Sequence, residues 1–236
     1  MRAPWDVLEP AARGEIEREE RAVARLERVT TAIVAFATAL LVLNLVVPQV
    51  EGQPTDAALR AALLQMLPAF LAFVLSFSLL ATCWVLHHFQ LHYFVRTGGD
   101  VLWINAALML AVVIVPFSTA LVSTYAMTRT AVILYEANIL AIQALLLLNW
   151  RRAIKTGLLF GGNVPSAVVR RMRLALAAGM AYVLATMPLA FVSPYLSLAL
   201  LTGLAGFYIF LTARGGYTLD AFKRRPAPPP DFPWPL

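Results

Sequence analysis

Residues 25–48 read RLERVTTAIVAFATALLVLNLVVP, a charged segment that passes without a loop into an uninterrupted apolar run. Residues 29–47 contain no Asp, Glu, Lys, Arg or His, and about 20 such residues are what a helix needs to cross a bilayer. The stretch predicts a first membrane span. Phe36, Leu40 and Leu43 recur at i, i+4 and i+7 as one large apolar stripe, while Ala35 and Ala39 form a small-xxx-small pair that lets another helix approach closely. By spacing alone, lipid contact or bundle core would satisfy such a stripe.

The rest of the chain has the same character. Of 236 residues, 60% are hydrophobic and 14% charged, a membrane composition. The single cysteine, Cys83, lies in an apolar run and has no internal disulfide partner, so it reads as a structural thiol. The formal charge of +6 does not point to nucleic acid. The basic residues border apolar spans instead of clustering with aromatics on a polar unit, which is the pattern that lipid headgroups and membrane insertion read.

Three segments are expected. Residues 1–28 are charged, have no apolar signal-peptide core, and have helical composition from residue 11, with Glu17 and Arg21 as a favourable i, i+4 pair. Residues 29–213 hold the first span and five more apolar segments, at about 63–86, 101–122, 131–150, 174–192 and 196–213. Between the last two, Ser193-Pro194 predicts a tight turn, and Gly161-Gly162-Asn163 another between spans four and five. Residues 214–236 are basic and then carry six prolines in the last eleven positions, an extended tail. Seventeen of the nineteen Lys and Arg fall on one side of this six-span plan, leaving only Arg60 and Arg129 on the other, so both termini are expected in the cytoplasm.

Few groups could carry chemistry. Trp84, His87 and His88 close the second span, and His92 follows His88 by four residues, but no carboxylate or thiolate nearby completes a metal ligand set. Asn105 and Asn138 sit in apolar spans and are expected to bond across helices. Glu136 is an ionisable group inside a span, seven residues after Arg129, and is expected to be satisfied by Arg129 or by a polar neighbour. No zincin motif, nucleophile elbow or phosphate-binding loop with Lys occurs, so no catalytic residue, metal or cofactor is expected.

The order of motifs resembles the prokaryotic branch of the transmembrane protein 175 potassium-channel family. That family's first helix carries an Arg, three residues, Phe-Ser-Asp-Gly, and a later Leu-Leu-Val-Leu run; Arg25 and Leu40-Leu41-Val42-Leu43 match it in register. Val29, Thr30, Thr31 and Ala32 stand in place of Phe-Ser-Asp-Gly. Further matches are Trp84 with the His87-His88 pair, Leu102-Trp103-Ile104-Asn105, Val115-Pro116-Phe117-Ser118-Thr119-Ala120-Leu121, Tyr135 and Asn138, and Phe191-Val192-Ser193-Pro194. The similarity spans residues 25–213.

The resemblance implies an all-α membrane protein, a homotetramer in membrane lipid around a pore lined by the first helix, with potassium ion as permeant species. Phe36, Leu40 and Leu43 occupy the positions of the family's pore rings, the narrowest of which is usually Ile or Leu; stacked apolar rings would then select and gate. Arg25, Thr30, Thr31, Trp84, His87, His88, Asn105 and Asn138 stand where a polar scaffold holds that helix, a network that Thr30 and Thr31 cannot complete in full. A bacterial plasma membrane is the implied location. The altered signature also fits a non-conducting scaffold or regulatory subunit. A secondary transporter fits less well, because the six segments show no inverted repeat.

Overall fold

The computed structural model describes residues 10–50, 52, 55–94, 96–125, 128–157, 164 and 166–214. The proline-rich tail, residues 1–9 and the Gly161-Gly162-Asn163 turn signal lie outside them. Among the described residues the architecture is all α: α1 (Pro10–Val42), α2 (Asp56–Gln65), α3 (Leu67–His92), α4 (Gly99–Tyr125), α5 (Arg129–Lys155), α6 (Ser166–Thr186), a 3-10 turn (Met187–Phe191) and α7 (Pro194–Arg214).

The charged segment and the first apolar run form one unbroken helix. No Gly or Pro interrupts α1 between residues 15 and 42, so nothing removes a backbone hydrogen bond where the chain changes from polar to apolar. The helix stops earlier than the apolar run does. Leu43, Asn44 and Leu45 close the end with i to i+3 bonds to Leu40, Leu41 and Val42, so the apolar helical part is residues 29–42. At 1.5 Å per residue that part is about 21 Å long, short of a hydrocarbon core of about 30 Å.

The six expected segments are not uniform in length. Among the described residues, four helical segments are long and apolar enough to cross a membrane: Leu67–His92, Gly99–Tyr125, Arg129–Lys155 and Ser166–Phe191. The described apolar part of α7, Pro194–Tyr208, is shorter, like that of α1. The second span also starts later than the hydropathy indicates. Thr55 caps α2 by accepting from the Ala58 amide at 3.2 Å, so part of the expected connection is helical. Pro68, in the first turn of α3, has no N–H to offer the Leu64 carbonyl, and the ladder breaks at Met66.

Two later prolines act on the helices as well. Pro116 lies inside α4 and leaves the ladder one donor short; close by, Asn44 Nδ2 donates to the Pro116 carbonyl at 3.1 Å and ties the end of α1 to this point. After α6, Pro188 falls within the 3-10 turn, and the Ser193 hydroxyl accepts from the Leu196 amide to start α7. α4 and α5 form the most extensive helix pair, with α1 and α3 packed on α4, α6 packed on α5, and α7 packed on the 3-10 turn, α3 and α6. Leu80, Leu108, Leu146, Trp150 and Leu176 are among the side chains fully buried between them, and Cys83 is buried in the same core.

Candidate pore face and its polar scaffold

α1 divides cleanly by face. Val23, Leu26, Thr30, Val34, Ala37 and Leu41 are buried against the rest of the chain, at helical spacing. Arg25, Val29, Ala32, Phe36, Ala39 and Leu43 repeat with the same period on the side turned away from the bundle. Phe36 is 64% exposed and Leu43 70%, whereas Leu40 is half-buried on the flank. The chain thus presents a bare apolar stripe with two alanines in it, which no other described element covers.

The buried face is held by a polar belt. Trp84 of α3 donates from Nε1 to the Thr31 hydroxyl at 3.2 Å and stacks on His88, ring centroids 5.7 Å apart. His88 Nδ1 meets the Glu27 carboxylate of α1 at 2.6 Å. His87 points the other way, with Nε2 at 2.5 Å from Asn105 Oδ1 on α4. Asn105 Nδ2 donates to its own Val101 carbonyl at 2.8 Å and to Asn149 Oδ1 on α5 at 3.1 Å. Asn149 in turn donates to Gln90 Oε1 at 2.8 Å, and Gln90 donates to the Leu146 carbonyl at 3.0 Å. His87, Gln90, Asn105 and Asn149 are all buried. Unpaired, each would carry a desolvation cost of roughly 1–3 kcal/mol, so the belt fixes the relative position of four helices.

A second set lies deeper. Thr119 of α4 donates to Ser76 Oγ of α3 at 2.7 Å, and Ser76 Oγ lies 2.9 Å from the Tyr135 hydroxyl of α5. The Asn138 amide donates to the Ala111 carbonyl and accepts from Ser118 Oγ, at 3.1 and 3.3 Å, a second link from α5 to α4. Glu136 is buried, and its partner is not Arg129. Oε1 accepts from Ser197 Oγ of α7 at 2.7 Å, while Oε2 has no hydrogen-bond partner among the described residues.

Two expected scaffold residues, and His92, sit outside the belt. Thr30 is buried but, among the described residues, bonds only the Leu26 carbonyl of its own helix, at 2.9 Å, a local option that competes with cross-helix pairing. Arg25 is exposed, on the bare face of α1. His92 packs edge-on against Tyr93, and among the described residues no three His, Cys, Asp or Glu side chains converge as a metal site would need. Sequence reading missed Gln90, Asn149, Ser76 and Glu27, each a polar residue whose partner lies on another helix. Their only signal was a polar side chain at a helical position.

The fold and site therefore define a multi-pass, all-α membrane protein with a polar belt locking an otherwise bare first helix. The family profile described as Endosomal/lysosomal potassium channel TMEM175 matches residues 25–116. A potassium channel of Streptomyces collinus is 32% identical over 194 residues, covering 79% of this chain and 91% of that protein. A potassium channel of Chamaesiphon minutus is 30% identical, covering 80% and 95%. The crystal structure of a lysosomal potassium-selective channel TMEM175 homolog from Chamaesiphon minutus superposes with a TM-score of 0.72 at 28% identity, over 80% of this chain and 97% of that one. The chain belongs to the TMEM175 potassium-channel family, a family of ion channels and not of enzymes.

Proposed function

We propose that four copies of this chain assemble around a pore lined by α1 and that potassium passes through it. The observation that carries the reading is the bare stripe of α1: Phe36 and Leu43 are among the most exposed large apolar side chains of the helix, on the face opposite its own bundle. Ala32, Ala35 and Ala39, all exposed, allow the close helix approach that a ring of subunits needs. α1 and α7 complete six spans, with their short apolar parts accommodated by local thinning of the bilayer or by assembly. The 17 to 2 division of basic residues supports cytoplasmic termini, with residues 1–28 as a cytoplasmic helix, 29–213 as the membrane domain and 214–236 as a cytoplasmic tail, in a bacterial plasma membrane.

In this pore Phe36 forms the narrowest ring. Leu40 lies on the flank of the face and Phe36 at its centre, and four phenyl groups have more bulk than four Ile side chains. An apolar constriction gates by dewetting and selects by how much hydration an ion must shed. The test is potassium flux into liposomes containing purified protein. Low flux in the wild type and a clear rise in Phe36→Ala are expected. If both stay at background in folded, tetrameric protein, the non-conducting scaffold suggested by Val29-Thr30-Thr31-Ala32 replaces this reading.

A further inference from the structure

The charged half of α1 carries both signs and sorts them. Glu19 accepts from the Thr97 amide at 3.3 Å and Glu27 meets His88 at 2.6 Å, so these two carboxylates are engaged by the bundle. Arg18, Arg21 and Arg25 are spaced i, i+3 and i+7 on the exposed side of the helix that continues into Val29 and Phe36. There they converge on a cleft of about 550 Å³ between α1 and the start of α4. Arg21 has a surface pairing with Glu17 at 3.4 Å. Among the described residues, Arg18 and Arg25 have no carboxylate partner.

The lower wall of the same cleft is apolar. Leu26, Val29 and Leu102 line it, with Thr97 alongside, and Val29 and Leu102 are each about half exposed. Val29 is the first residue of the uncharged run, which puts this wall at the level where the helix enters hydrocarbon. A guanidinium fork matches phosphate oxygens bidentately, and basic pockets at membrane helix ends hold lipid headgroups. Three guanidiniums brought together in one cleft also repel one another until an anion joins them.

We propose that this cleft binds a phosphate-bearing anion of the kind that anionic phospholipids carry, with the phosphate among Arg18, Arg21 and Arg25 and the acyl chain along Val29 and Leu102. The site stands on charge and shape, and it shares Arg25 and Val29 with the exposed face that the proposed function turns toward the pore.

The test titrates the full-length protein, in neutral detergent, with three probes: dioctanoyl phosphatidylglycerol, dioctanoyl phosphatidylcholine and inorganic pyrophosphate. Phosphatidylglycerol should bind saturably and at least ~10-fold more tightly than phosphatidylcholine, because only it brings a net negative charge to the guanidiniums. The triple change Arg18→Gln, Arg21→Gln, Arg25→Gln should weaken that binding ~10-fold or more, whereas Arg170→Gln, Arg171→Gln, Arg173→Gln should not. Raising ionic strength on the wild type gives a readout that needs no variant, and phosphatidylglycerol binding should weaken with salt. Pyrophosphate binding lost in the same triple variant would assign the site to soluble phosphates. Binding of phosphatidylglycerol that ignores both salt and the three arginines, or no saturable binding of either anionic probe, overturns the proposal.

Discussion

Replacing Asn105 with Leu tests whether the polar belt holds the helices together. The side chain is fully buried, and its amide serves His87 of α3 and Asn149 of α5 at once, at 2.5 and 3.1 Å. Leu is close in volume, so packing changes little and the loss is mainly of two interhelical hydrogen bonds. In membrane proteins such bonds average about 0.6 kcal/mol and reach about 1.7, which puts the loss at about 1–3 kcal/mol. His87 and Asn149 are left with unpaired groups in a buried site, which favours the upper half of that range. Thermal unfolding in detergent, followed by tryptophan fluorescence, reads the change. A double-mutant cycle with Asn149→Leu isolates the shared bond: the double variant should be less destabilised than the sum of the singles by about 0.6 kcal/mol or more. An Asn105→Leu protein that melts with the wild type, or strict additivity in the cycle, would refute the belt as a source of stability.

Two further changes probe the far side of the bundle. Ser197→Ala removes the hydroxyl that donates to Glu136 Oε1 and leaves a buried carboxyl without its α7 partner, a loss of about 1–3 kcal/mol. The double variant Glu136→Met, Ser197→Ala should recover part of it; a double variant that melts below Ser197→Ala would contradict the assignment. Gly179→Ala should destabilise by about 1–3 kcal/mol through overpacking, because a Cβ there meets the hydroxyl end of Tyr208. That hydroxyl is held by Gln143 at 3.0 Å and the Ala175 carbonyl at 3.2 Å. Wild-type melting in Gly179→Ala would mean that Tyr208 moves aside at little cost.

How far the sequence reveals this molecule depends on whether a signal is local. The faces of α1 are legible because Phe36 and Leu43 against Val34 and Leu41 follow a helical period that any stretch of sequence displays. Asn105 and Asn138 are legible as cross-helix bonds because an amide in an apolar run has few other ways to be satisfied. Gln90 and Asn149 carry the same logic, but their bond joins residues 59 positions apart, and nothing local pairs them. Thr30 and Thr31 are adjacent and chemically identical, yet only Thr31 reaches another helix; rotation of about 100° between neighbours makes the difference. Glu136 has Arg129 two turns away in sequence and Ser197 61 residues away, and bonds the distant one. The start of α2 is legible in principle, since Thr55 followed by Asp56 is a helix-start signal, but Gly52 and Pro54 just before it mark a connection.

The unbroken run of α1 from its charged half to its apolar half restricts which insertions and deletions the chain can absorb. In a loop, one added residue changes a length and little else. Inside a continuous helix it turns everything beyond it by about 100° and displaces it by 1.5 Å. A single residue inserted between Arg28 and Val29 would leave Arg18, Arg21 and Arg25 facing their cleft while swinging Phe36 off the bare stripe, or the reverse. Only insertions close to whole numbers of turns, such as seven or eleven residues, come near to restoring the phase. The arginine-bearing and phenylalanine-bearing halves are therefore inherited as one unit of fixed length, and relatives that vary freely in loop length should keep the distance from Arg25 to Phe36 unchanged.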